Sequence, residues 1–109
     1  MLVIGDVAGH DSQAAAALGQ IRTVVRALGA HDHDGPATVL AQADQVRQTL
    51  QSAILATALV ARPEQTADER DRGLTRLRWS NAGHPPPMML TSDGQVQLLP
   101  TERAICCSA

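Results

Sequence analysis

Val3-Ile4-Gly5-Asp6-Val7-Ala8-Gly9-His10-Asp11 opens the chain with an apolar run that closes on a carboxylate held between two glycines, and an alanine-rich stretch follows at once. The run predicts a short buried strand over residues 2–5, with Asp6 at its C-terminal tip. Apolar side chains then recur at Ala14, Ala15, Leu18, Ile21, Val25 and Leu28. That spacing of three and four marks one face of a helix over residues 12–28. Asp11 or Ser12 supplies the N-cap, and Gly29 stands where a helix stops. Arg22 and Arg26 near its C-terminal end suit the helix dipole.

Working outward, His31-Asp32-His33-Asp34-Gly35-Pro36 reads as a polar turn, with Pro36 in the first turn of a second helix. Val39, Ala43, Val46 and Leu50 give that helix an apolar stripe over residues 36–52. A short loop joins the two helices, which predicts an antiparallel pair. The pattern then changes. Ile54 to Ala61 is apolar with Thr57 as its only polar member, and it suits a buried strand. Residues 63–73 read as a charged loop. From Thr75 to Trp79 the side chains alternate, with Leu77 and Trp79 on one face and Arg76 and Arg78 on the other. Met88-Met89-Leu90 and Val96-Gln97-Leu98-Leu99 flank Thr91-Ser92-Asp93-Gly94, a hairpin turn. The order is β-α-α-β-β-β-β. Helices and strands are segregated, so the class is α+β: a largely antiparallel sheet with a helix pair on one face.

With 109 residues the chain makes one domain at most. Its net charge of −2, without a single Lys and with scattered arginines, excludes a nucleic-acid footprint. Trp79 is the only aromatic, so stacking on bases is excluded as well. No apolar run approaches the ~20 residues that span a bilayer, and Met1-Leu2-Val3-Ile4 lacks the basic start of a signal peptide. Cys106 and Cys107 are adjacent, which suits neither a disulfide framework nor a zinc site. These features together predict a cytoplasmic protein with reduced thiols.

Two segments carry chemistry. Asp6 at a strand tip offers a carboxylate beside backbone carbonyls, the oxygen donors that Mg²⁺ and Mn²⁺ prefer. Gly5 and Gly9 permit backbone angles and close approaches that a side chain would forbid. The local pattern alone favours a simpler reading, in which Asp6 caps the turn into the first helix. The second segment is Asn81-Ala82-Gly83-His84-Pro85-Pro86-Pro87, a loop stiffened by three prolines. His84 there is a ligand, a proton carrier or a structural hydrogen-bond partner. His31, Asp32, His33 and Asp34 read as a solvated loop, because a metal site needs fixed geometry. Ser12, Ser52, Ser80 and the cysteines have no local base, so a protein nucleophile has little support.

Taken as an ordered pair, the two segments resemble the SpoIIE/RsbU-like branch of the PPM-type, metal-dependent serine/threonine phosphatases. Ile4-Gly5-Asp6-Val7-Ala8-Gly9-His10-Asp11 with its Ala-rich, Arg-bearing helix resembles the first signature. Ser80-Asn81-Ala82-Gly83-His84-Pro85-Pro86-Pro87 resembles the second, and Asp93-Gly94 falls at the family's hairpin turn. The resemblance implies a partial α/β/β/α sandwich over residues 1–100, with 101–109 as a tail unlike the family. It implies a hydrolase for phosphoserine or phosphothreonine on a STAS-type anti-anti-sigma protein, within bacterial sigma-factor signalling. Two Mn²⁺ or Mg²⁺ ions would activate the attacking water. By position, Asp6 resembles the bridging carboxylate and Val7 the backbone-carbonyl ligand. Gly5 and Gly9 resemble the turn glycines. Asn81, Gly83 and His84 fall on the second signature without a role the resemblance assigns.

The chain also departs from that pattern. The family's earlier Gly-Gly-Asp strand and its later Asp-Gly segment, each with a metal carboxylate, have no counterpart here. A lone Asp holds two divalent ions weakly. The expectation is therefore a phosphatase domain truncated at both ends and weakly active or inactive by itself. The alternatives are a non-catalytic phosphatase-like binding module and a truncated gene product. Open sheet edges would favour self-association.

Overall fold

The computed structural model describes residues 1–31, 34–50, 54–100 and 102–108, the last segment as backbone. Its elements run β1 (Leu2–Val7), α1 (Ser12–Leu28), α2 (Pro36–Thr49), β2 (Ala56–Glu64), α3 (Ala67–Asp71), β3 (Leu74–Ala82), β4 (Met88–Leu90), β5 (Val96–Leu98) and β6 (Glu102–Ser108). Four strands form an antiparallel sheet in the order β1-β2-β3-β6, and β4 and β5 form a separate antiparallel hairpin. The class is α+β, as the segregation of patterns predicts, and it is compatible with a partial PPM fold.

Helix α1 begins and ends where its sequence pattern predicts. The Asp11 carboxylate accepts the Ala14 N–H at 2.8 Å and so caps the first turn. Gly29 closes the last turn with its N–H on the Val25 carbonyl, at an ordinary φ of −75°. Helix α2 opens on Pro36. The expected helix ran to residue 52, and its residues 51 and 52 lie outside the described ones. Leu50 follows the last turn and is exposed, so the apolar stripe ends at Val46.

Strand alternation divides the core into two clusters on opposite faces of β2. Val60 points toward the helices and is fully buried with Val25 of α1 and Val39 of α2. Leu59 and Ala61 point the other way, onto Trp79 of β3 and Leu99 beyond β5. The helices thus cover one face, and the β4–β5 hairpin begins to cover the other. Trp79 anchors that second layer by donating its indole N–H to the Pro100 carbonyl at 2.8 Å. Arg62 lies on the helix side, buried, and donates to the carbonyls of Gly29 (2.8 Å) and His31 (3.1 Å). It satisfies the C-terminal end of α1 from the sheet.

The charged loop expected over residues 63–73 is instead the end of β2 followed by helix α3. Thr66 and Glu69 form a capping box: the Thr66 hydroxyl accepts the Glu69 N–H, and the Glu69 carboxylate accepts the Thr66 N–H at 2.8 Å. Strands β1 and β3 run longer than expected. Asp6 is a ladder residue of β1, and Asn81 and Ala82 end β3. The final segment, 101–109, carries strand β6 paired along β3 from Leu74 to Ser80.

Candidate metal and phosphate site

The first and second signatures meet at one end of the sheet, and Thr57 joins them. In the β1–β2 ladder Asp6 stands directly opposite Thr57. Opposed residues of an antiparallel pair put their side chains on the same face. Here that is the face away from the helices, because Thr57 is two residues from Leu59 and shares its face. The Thr57 hydroxyl lies 3.0 Å from Nδ1 of His84. The sequence reading put no role on Thr57; its only signal was one polar residue in an apolar strand.

The approach of β1 to β2 explains Gly5. A Cβ on Gly5 would lie 2.7 Å from the Thr57 carbonyl oxygen, too close for any side chain. Gly9 takes a φ of +105°, which turns the chain from the strand toward the Asp11 cap.

The backbone ladder also fixes what Val7 offers. The Ala8 N–H bonds the Leu55 carbonyl at 2.8 Å, so Ala8 and Asp6 exchange bonds with β2. Antiparallel alternation then turns the N–H and C=O of Val7 to the outer edge of the sheet. Its N–H is taken there by Asp6 Oδ1 at 2.9 Å. The second Asp6 oxygen has no hydrogen-bond partner among the described residues. Asp6 does not cap α1; Asp11 does. The capping reading of Asp6 is thereby removed, and its carboxylate is exposed beside an outward carbonyl.

The second signature is a closed turn. Asn81 Nδ2 donates to the His84 carbonyl at 2.7 Å, and the His84 N–H donates to Asn81 Oδ1 at 2.8 Å. Gly83 sits inside that ring of bonds with a φ of +69°, and it bridges to Ala58 of β2. Asn81 therefore shapes the loop that delivers His84.

The donor types fit a hard divalent cation: one carboxylate and one carbonyl oxygen. Their number falls short, since an octahedral ion needs more. Among the described residues no group of three or more His, Cys, Asp or Glu could hold a metal ion. Of the His31–Asp34 cluster, Asp32 and His33 lie outside the described residues, and the His31 carbonyl serves Arg62 and the Asp34 N–H. A cavity of about 640 Å³ lies between α1 and β1, with Leu18, Ile21, Arg22 and Val3 in its lining. Gly5, Asp6, Thr57 and Ala58 also line it, so it adjoins the strand segments that carry Asp6 and Thr57.

Residues 1–107 match the family model described as Stage II sporulation protein E (SpoIIE). The chain belongs to the SpoIIE family. The match takes in both signatures, and it extends through most of the segment beyond residue 100. No solved structure matches the chain. The SpoIIE family gives the chain a phosphatase-type regulatory function, in sporulation and sigma-factor control, and its members generally use Mn²⁺ or Mg²⁺. Among the described residues no helix is long and apolar enough to cross a membrane.

Proposed function

We propose that this chain supplies part of the metal centre of a phosphoserine/phosphothreonine protein phosphatase that acts on a phosphorylated STAS-type anti-anti-sigma protein. The observation that carries the reading is the meeting of the two signatures across Thr57, with an exposed carboxylate on one side and an imidazole on the other. Asp6 and the Val7 carbonyl would hold one side of a Mn²⁺ or Mg²⁺ ion. When bound, the metals would activate water for attack on phosphorus. The chain's own part is to fix the Asp6 carboxylate through the Val7 N–H and to keep β1 pressed on β2 through Gly5. The reading includes a cytoplasmic setting, in which Cys106 and Cys107 stay reduced.

Paramagnetic Mn²⁺ provides the test. Amide signals of residues 5–8 should broaden first on titration, and Asp6→Asn should abolish that order of broadening. Uniform broadening, or broadening centred elsewhere, refutes the ligand role. Hydrolysis of a phosphoserine STAS protein should be negligible for these 109 residues. Robust turnover that Asp6→Ala abolishes would show that the donors suffice.

The shortage of acidic ligands among the described residues favours a second reading, a phosphatase-like module that binds without hydrolysing. Capture of an unphosphorylated STAS protein that survives EDTA would select it. We propose self-association as well, because β1 is an outer strand of the sheet. Elution volume in size exclusion should then fall with rising concentration.

A further inference from the structure

We propose that Thr57 is a positioning residue for His84: its hydroxyl donates to Nδ1, holds the imidazole in one orientation and leaves Nε2–H as the ring's free donor. Four observations converge on it. The Oγ1···Nδ1 separation is 3.0 Å, within hydrogen-bond range, and the pair is partly buried. The hydroxyl has no other partner among the described residues, and a hydroxyl proton seeks an acceptor. Thr57 is the only polar side chain between Ile54 and Ala61, where a valine would fit the strand equally well. The His84 backbone is already held by both Asn81 bonds, so the remaining freedom is rotation of the ring. One hydroxyl stops that rotation.

The tautomer follows from the direction of the bond. If Thr57 donates, Nδ1 is an acceptor and the ring proton sits on Nε2. A ring fixed in this way offers an N–H to an oxyanion. This last step rests on the phosphatase reading, in which the anion is the phosphoryl group; the orientation of the ring does not.

The experiment uses nitrogen-15 imidazole correlations on the 109-residue chain, at about pH 8.5, above the ordinary imidazole range. Wild type should show His84 as the Nε2–H form, with Nδ1 displaced from its unbonded position and one sharp ring environment. Thr57→Val keeps the shape and removes the donor. It should return Nδ1 to the unbonded position and broaden or multiply the ring signals. Thr57→Ser should restore both. A packing role alone would leave the ring unchanged in the valine variant. An Nδ1–H tautomer in wild type, or an unaltered ring in Thr57→Val with the backbone amides unmoved, overturns the proposal. Inorganic phosphate is the second probe. It should shift the His84 Nε2–H resonance in wild type and in Thr57→Ser, and shift it less in Thr57→Val. If phosphate shifts nothing while the ring stays fixed, the phosphatase reading of the site fails and the positioning role stands.

Discussion

Replacing Gly5 by alanine tests the closest contact at the site. The added Cβ would lie 2.7 Å from the Thr57 carbonyl oxygen. Non-bonded carbons keep about 3.5 Å from their neighbours, so β1 must move away by roughly 0.8 Å. The neighbouring ladder bond, from the Asp6 N–H to that same carbonyl, would stretch to the limit of hydrogen bonding. Overpacking of this kind costs about 1–3 kcal/mol.

Gly19 is the control. It lies in the exposed interior of α1, with nothing within 4 Å of a Cβ. There alanine removes unfolded-state freedom and should stabilise the chain by about 0.5–1 kcal/mol. Urea unfolding reads both. With a slope of about 1–3 kcal/mol per molar, Gly5→Ala should lower the midpoint by on the order of 1 M. Gly19→Ala should raise it by a few tenths. The same substitution thus has opposite signs at two glycines. Gly5→Ala at or above the wild-type midpoint would refute the close approach of β1 to β2, and with it the placing of Asp6 opposite Thr57.

The other predictions concern the elements around the site. The Glu69 carboxyl is held below the usual range, first by the Thr66 backbone N–H and, less strongly, by the Arg76 guanidinium. Its contribution is therefore full above the ordinary glutamate range and is lost as pH falls through the depressed value. Glu69→Gln should flatten the acid limb of a stability–pH profile, and an unchanged limb would count against the capping box. Arg62→Met keeps the side-chain stem but removes the donors to the Gly29 and His31 carbonyls. Hydrogen bonds from a charged group carry about 1.5–3 kcal/mol, so the urea midpoint should drop, and a neutral result would exclude a clamp on α1. Trp79, 4% exposed, should emit at short wavelength when folded and shift to the red in one step with urea; red emission in the native state would refute the Trp79–Leu99 packing.

Legibility in the sequence followed the range of the forces involved. Helix α1 was readable from Asp11 to Gly29 because periodicity and caps are local. The strands were readable as elements, but their ends were not. Asp6 and Asn81 belong to ladders set by the partner strand, and no local pattern reports that. Helix α3 was missed because its residues are charged, yet Thr66-Ala67-Asp68-Glu69 carried a capping-box signature that composition hid. Both site motifs were visible as types of residue. Their meeting was not, because it depends on the register of β1 on β2 and of β3 on β2, contacts 51 and 27 residues apart in the chain (57 − 6 and 84 − 57). The ambiguity over Asp6 had the same origin. Two aspartates, Asp6 and Asp11, competed for one cap, and only the geometry of the turn at Gly9 decides between them.

Exposure along one face of β2 bears on what can reach the site. Leu55, Thr57, Leu59 and Ala61 alternate onto the face away from the helices. Leu55 is 75% exposed, Thr57 is half-buried, and Leu59 and Ala61 are buried. The hairpin closes the Trp79 end of this face through Leu99 and leaves the Asp6 end open. Ile4, opposite Leu59, and Leu2, opposite Ala61, also remain exposed on β1. A protein-bound phosphate needs an open approach, because its carrier cannot enter a closed cavity. The cavity between α1 and β1 also touches Asp6 and Thr57, so it is a second route to the same segment. The open end of the face offers a phosphoprotein that open approach, and an introduced charge separates the two routes. Leu55→Lys, outside the cavity lining, should alter binding of a phosphorylated STAS protein, whereas Leu18→Lys in the lining should leave it unchanged. The reverse pattern would refute the open face as the route and move the approach to the cavity between α1 and β1.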